Sequence, residues 1–307
     1  MTPTAAAERP DVVVVGSASR DLTTDDPRGW RLGGAVSYGS LTLARMGLRV
    51  LALIGGDALV ADAHELDLLR GAGVDVHIVR LDRSPVFENL EGPSGRIQTA
   101  MESGEPLPPD AVPAAARSAA TWLLAPVADE LPDGWADCPS PDALVALGWQ
   151  GLLRDVAPGR DVQRRPPRPS RFLERASIVG VSRDDLPPDI TPESLVSWLR
   201  PGSTLIVTDG PRGGERLIEG GGGRPQRDRY AAVPGVLDVD PTGAGDVFLA
   251  TYLAARRGRA ADDPDAGDLA LAAAAASLVV ERPGLDGVPS LTELADRLER
   301  TPRRLPD

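Results

Sequence analysis

The stretch DVDPTGAGDVFLA, residues 238–250, decides how the rest of the chain is read. Three small residues, Gly243, Ala244 and Gly245, stand between two aspartates, Asp240 and Asp246, and an apolar run follows at once. That makes a poor core segment and a poor strand. Further on, Val247, Leu249, Ala250, Leu253 and Ala254 recur at helical spacing, so the segment predicts a turn running into a helix. The small residues then lie at or just before a helix N-terminus, where amide groups lack intrahelical acceptors and carry partial positive charge. With no side chain in the way, a phosphate can approach those amides closely. Asp246 should repel a polyphosphate docked there, unless its task is to take the proton from a hydroxyl that attacks phosphorus. The plainer alternative is a helix-cap carboxylate above an ordinary turn.

Composition narrows the classes. With 33 basic and 45 acidic residues among 307, the net charge is −12, which repels nucleic acid and anionic membranes. Every basic residue other than the two histidines is arginine; the chain has no lysine, which excludes a Walker-type phosphate loop and Schiff-base chemistry. Cys138 is the single cysteine, so no internal disulfide can form. The longest largely apolar run, Leu269 to Val280, is 12 residues with Ser277 the one polar member, short of the roughly 20 that cross a bilayer. The first ten residues lack a signal-peptide pattern, and the expected location is the cytoplasm. His64 and His77 lack metal-site spacing.

Outward from the opening stretch, DVVVVG (11–16) and RVLALIGG (49–56) read as strands of a parallel sheet buried on both faces. A helix from Ala35 ended by Gly47 and a second over ADAHELDLLRGAG (61–73) give a β-α-β-α order. VDVHIVRL, VFENLEG and GRIQTAMES, within 74–103, read as a small antiparallel sheet. The α/β rhythm returns in TWLLAP, ALVALGWQG, ASIVGVS and TLIVTDG, with binding loops expected at their ends. Residues 157–170 and 219–229 read as mobile loops.

DPTGAGD followed by Phe248 and a long helix resembles the C-terminal signature of the ribokinase-like (phosphofructokinase-B type) carbohydrate kinases. The resemblance spans residues 11 to about 290 and is nearest the inositol-kinase-like branch. It implies a three-layer α/β sandwich with a mostly parallel central sheet flanked by helices, plus a small antiparallel β lid. The domain would cover 11–300, with lid strands around 17–32 and 74–101, a flexible N-terminus at 1–10 and a tail at 301–307. It implies ATP-dependent phosphorylation of a hydroxyl on a sugar or a cyclitol such as inositol. Asp246 would be the general base, and the amides of Gly243, Ala244 and Gly245 the anion hole. Asp21, Gly33, Gly34, Gln150 and Arg154 would bind substrate; Thr208, Gly210, Gly213 and Thr242 would lie by the nucleotide. Asp185 would hold magnesium through water, and carbonyls at Asp240 and Thr242 offer a site for potassium. Pairing of two copies through the lid is also within what the resemblance implies.

Several positions depart from the family pattern. The usual N-x-x-E becomes VSRDDL, offering Ser182 and Asp185, and Tyr38 stands where ribokinase has an asparagine against the sugar. Glu130, Gln150, Gly151 and Arg154 match the inositol-kinase-like branch, but Gly148 replaces its aspartate, and Ala273 replaces the Asn or His common near adenine. Arg154 reads equally as a ligand for substrate or donor phosphate or as a salt-bridged strand end. The rivals are a nucleoside kinase on the same fold and a catalytically silent binding protein. A Rossmann dehydrogenase is disfavoured because Gly16 is followed by serine and alanine.

Overall fold

The structure, a computed structural model, describes residues 9–92, 95–220, 224–259 and 267–301. The expected flexible start and C-terminal tail lie, but for Arg9, Pro10 and Thr301, outside the described residues. Strand β1 (Val12–Ser17) is buried throughout because its valines serve two layers: Val12 and Val14 pack in one core, Val13 and Val15 in the other. Full burial of such a side chain contributes about 1.5–3 kcal/mol, so an uninterrupted apolar run is stable only in the middle of a sandwich. The chain then leaves the main sheet for β2 (Arg20–Leu22) and β3 (Trp30–Leu32). It returns through helix α1 (Ala35–Arg45) to β4 (Val50–Gly56). The second expected helix is two short ones, α2 (Ala58–Ala61) and α3 (Glu65–Gly71), leading to β5 (Asp75–Arg80).

Strands β6 (Pro85–Gly92) and β7 (Gly95–Ser103) form a hairpin away from the main sheet. After α4 (Ala114–Arg117) come β8 (Thr121–Leu124) and β9 (Leu144–Gly148), then three two-residue strands, β10 (Arg154–Asp155), β11 (Arg160–Asp161) and β12 (Gln163–Arg164). Helix α5 (Arg171–Arg175), β13 (Ile178–Ser182), α6 (Pro192–Val196) and β14 (Thr204–Thr208) continue the alternation. The edge is β15 (Gly214–Ile218) and β16 (Gln226–Tyr230), followed by helices α7 (Ala244–Arg256), α8 (Asp268–Val279) and α9 (Leu291–Arg300).

Nine strands form the central sheet in the order β16-β15-β14-β13-β9-β8-β1-β4-β5. The seven from β14 to β5 are parallel, and β15 and β16 add antiparallel edges. One face carries α1, α3, α7 and α8, the other the layer containing Trp122, Trp135, Phe172 and Leu195. The three-layer sandwich expected from sequence is present.

The lid is a five-stranded sheet, β11-β7-β6-β2-β3. Its membership differs from the sequence reading. Residues 75–80 pair in parallel with β4 and belong to the central sheet, since Val76 and Ile78 pack against one core and Val79 against the other, while Asp75 and His77 face solvent. Within the lid β2 and β6 run parallel, so the sheet is mixed. The 157–170 segment, expected as a loop, contributes β11, whose Arg160 and Asp161 pair with Ala100 and Thr99. Likewise Gln226–Tyr230 is a strand, registered against β15 by five residue pairs.

Candidate active site

All parallel strands of the central sheet end at one edge, so their following loops converge there, as the geometry of open α/β sheets requires. Between that edge and the lid runs a cleft of about 1300 Å³. Asp21 enters it from lid strand β2, Gln150 and Arg154 from the chain after β9, and Ser182 and Asp185 from the end of β13. Thr208, Gly210 and Gly213 line it after β14, and Thr242, Gly243, Ala244, Gly245 and Asp246 at the start of α7. Gly34, Tyr38 and Ala273 also line it; Gly33 and Asp240 do not.

The start of α7 has the form expected from DPTGAGD. Gly243 is the N-cap at φ 81°, a left-handed conformation that favours glycine. The amide of Ala244 is spent on the carbonyl of Pro241 at 3.3 Å. Those of Gly243 and Gly245 have no acceptor among the described residues. Two N–H groups therefore remain for an anion at the positive end of a helix of 13 residues.

Asp246, in the first turn of α7, is largely shielded from solvent. Burial pushes its carboxyl up to about 7; Arg154 pulls it down, while Asp185 and Asp21 push it further up. Asp21, Arg154, Asp185 and Asp246 all line the one cleft, although 225 residues of sequence separate the extremes. Asp185 is 6% exposed and accepts from Nε2 of Gln150 at 2.9 Å. Burial raises it too, opposed by Arg154, Gln150 and Arg164.

At the lid end, Ser19 Oγ donates to Asp21 Oδ1 at 3.0 Å. The second oxygen explains Gly33: a Cβ there would fall 2.3 Å from Asp21 Oδ2, so only glycine lets the carboxylate lie against this backbone. Glu130, 2% exposed, does not line the cleft. Its carboxylate accepts from the amides of Ser17 (2.8 Å), Val127 (3.0 Å) and Ala128 (2.8 Å), joining the end of β1 to the loop after β8. Gly151 approaches the carbonyl of Pro126 so closely that a Cβ would sit 2.1 Å away. Gly148 is different: a Cβ there meets only ordinary contacts at 3.8 Å, so the position has room for the side chain it lacks.

Asp240 ties two loops together, accepting from the amides of Thr242 at 2.9 Å and Gly284 at 3.1 Å. Sequence reasoning missed Asp161, Gln163 and Arg164, which line the cleft from β11 and β12, and the apolar end built from Tyr230, Val236, Leu237 and Val280. The signal for the former was the alternation Asp161-Val162-Gln163, whose Val162 packs with Phe87 of the lid. Among the described residues, three ligand-type side chains converge within 4.8 Å only at Asp26, His64 and Glu65, outside the cleft; there Arg28 bridges Asp26 and Glu65. No described helix is long and apolar enough to cross a membrane.

Sandwich, lid and cleft together define the ribokinase-like fold. A pyrophosphate-dependent kinase in the ribokinase family, complexed with a pyrophosphate analogue and myo-inositol, superposes with a TM-score of 0.72 at 16% identity, covering 93% of this chain and 99% of that one. Arabidopsis thaliana ribokinase with ribose and ATP gives 0.67 at 20% identity, over 95% and 99%. The nucleoside kinase of Methanocaldococcus jannaschii gives 0.65 at 16%, again over 95% and 99%. No protein-family model matches the chain, and no curated protein matches it. At these identities the likeness is one of fold.

Proposed function

We propose that the protein is a kinase of the ribokinase type that transfers a phosphoryl group to a hydroxyl of a small polyol, a sugar or a cyclitol such as inositol. The observation that carries the reading is a single relationship: Asp246, with its carboxyl raised to about 7, stands in the same helical turn as the unspent amide of Gly245. A base with an affinity for protons near neutrality and an anion-binding helix start are the two parts that phosphoryl transfer to an alcohol requires.

In this reading the acceptor lies under the lid with hydroxyls held by Asp21, the Gly34 backbone and Gln150, while Gly33 leaves room for the Asp21 carboxylate. Asp246 removes the proton from the attacking hydroxyl as its oxygen bonds to the terminal phosphorus. The bond to the donor's bridging oxygen breaks, and the amides of Gly243 and Gly245 hold the charge of the transferring group. The donor is ATP by default, its phosphates near Thr208, Gly210, Gly213 and Thr242, and its base against the apolar end at Ala273, Ala276 and Val280. Two raised carboxyls, Asp185 and Asp246, facing one cleft suit a divalent cation. Magnesium would neutralise donor phosphate charge, held by Asp185 through water. Asp240 and Thr242 lie on the segment whose carbonyls would hold potassium. The closing lid keeps water from the donor.

The fold neighbours bound to myo-inositol and to ribose with ATP support the substrate class, and the nucleoside kinase keeps a second acceptor class open to test. Incubation with sugars, inositols and nucleosides, each with ATP and with pyrophosphate, followed by mass spectrometry, tests the proposal. A phosphate monoester of a sugar or cyclitol is the expected product. Phosphorylation of nucleosides alone contradicts the acceptor class, and binding of ligands without turnover anywhere in the panel contradicts the enzyme.

A further inference from the structure

The ribbon formed by β10 and β12 pairs Arg154 directly with Arg164. Directly opposed residues of an antiparallel pair project to the same face, with Cβ atoms about 4.5–5.5 Å apart, and like charges so placed destabilise the ladder. Both arginines line the cleft. The next residue, Arg165, is neutralised by Asp129 and Asp155. The Arg164 side chain makes no hydrogen bond or ion pair with any described residue, and the carboxylate that feels both Arg154 and Arg164 is Asp185, already bonded to Gln150. A ladder that tolerates this opposition, with its charge facing a cavity, is suited to an anion.

We propose that Arg154 and Arg164 form a two-guanidinium clamp for the pyrophosphoryl end of the phosphate donor, whether nucleotide or inorganic pyrophosphate; this rests on the kinase reading above. The donor is favoured over a phosphate on the acceptor because both arginines act on Asp185, the carboxylate that would hold the donor's magnesium. The ribbon follows β9, whose sheet neighbour β13 brings Asp185, and Arg154 is the strongest attractive influence on Asp246. The clamp thus faces the point of transfer. In a chain without lysine, arginine is the side chain left for this task, and its planar fork grips phosphate through two hydrogen bonds at once.

Calorimetric titration of the whole chain with magnesium pyrophosphate, magnesium ATP and adenosine tests the clamp, using wild type, Arg164→Gln and the remote exposed control Arg171→Gln. Arg164→Gln should weaken pyrophosphate and ATP binding by about tenfold or more, leaving adenosine and the control unchanged. Tighter binding of ATP than of pyrophosphate by wild type would identify a nucleotide source, and the reverse an inorganic one. Arg164→Gln binding both donors as wild type does would overturn the clamp and leave the kinase reading intact. Wild type binding neither would overturn both.

Discussion

The ring of Tyr38 occupies the space that a side chain on residue 243 would need: a Cβ on Gly243 would lie 2.4 Å from Tyr38 Cδ1. Tyr38 is 2% exposed, so a buried aromatic packs against the bare backbone at the start of α7. This also answers what replaces the asparagine expected at position 38: a ring that lines the cleft and fixes the start of α7.

Gly243→Ala should therefore cost about 1–3 kcal/mol for the left-handed backbone and more for the contact with Tyr38. Thermal melts of Gly243→Ala, Tyr38→Leu and the double variant separate the two parts. The steric part appears as coupling in the cycle; strict additivity would show that the ring does not constrain residue 243.

Asp246 gives a pH dependence with a definite sign. Its folded-state value of about 7 is raised above the ordinary 3.8, so the folded state holds the proton more tightly. The stability it contributes is fully present below about pH 4 and is lost as pH rises through 7. Asp246→Asn should melt later than wild type at pH 8, by at most on the order of 4 kcal/mol and less where water in the cleft screens the charge. The two should converge at pH 4. In the free enzyme, kcat/KM for the acceptor should rise up to about pH 7 and then level off, as a base of that strength requires.

Asp57 joins the lid to the sheet. It caps α2 through Val60 N at 3.0 Å, accepts from Arg20 at 3.1 Å and from the amide of Ser84 at 3.3 Å, and its own amide donates to Ser84 Oγ at 2.7 Å. Asp57→Ala removes a helix cap worth about 1 kcal/mol and strands Arg20, the neighbour of Asp21. The expected result is a lower melting temperature and a raised acceptor KM with donor KM little changed, read by steady-state kinetics.

Glu130→Gln should lose about 1–3 kcal/mol, because an amide offers one acceptor oxygen where three backbone N–H groups now converge on two. Denaturant unfolding checks this. Retention of full stability would mean that the end of β1 is held by the sheet alone.

The alternation of strands and helices was legible because each buried strand is a short apolar run, as in VVVVGS and TLIVT, closed by a turn residue. The start of α7 was legible because the apolar residues after Asp246 recur at helical spacing behind a glycine-rich turn, although Gly-Ala-Gly-Asp alone reads equally as an ordinary capped turn. Strand β5 was misassigned because a half-buried sheet edge and a lid strand share the same alternation; only pairing with β4 separates them. The two-residue strands β10 to β12 carry charged residues with no strand propensity and exist through tertiary pairing with β7 and each other. The raised carboxyl of Asp246 was invisible in sequence for a similar reason, since burial and the nearness of Asp185 and Asp21 are set by the fold.

Transfer of phosphoryl from donor to acceptor in a single turnover, comparing wild type with Asp246→Asn on the best pair from the substrate panel, tests the central claim most directly. Loss of a positioned base should slow transfer by about 10²–10⁴-fold while both ligands still bind. Transfer at an undiminished rate by Asp246→Asn would contradict the account.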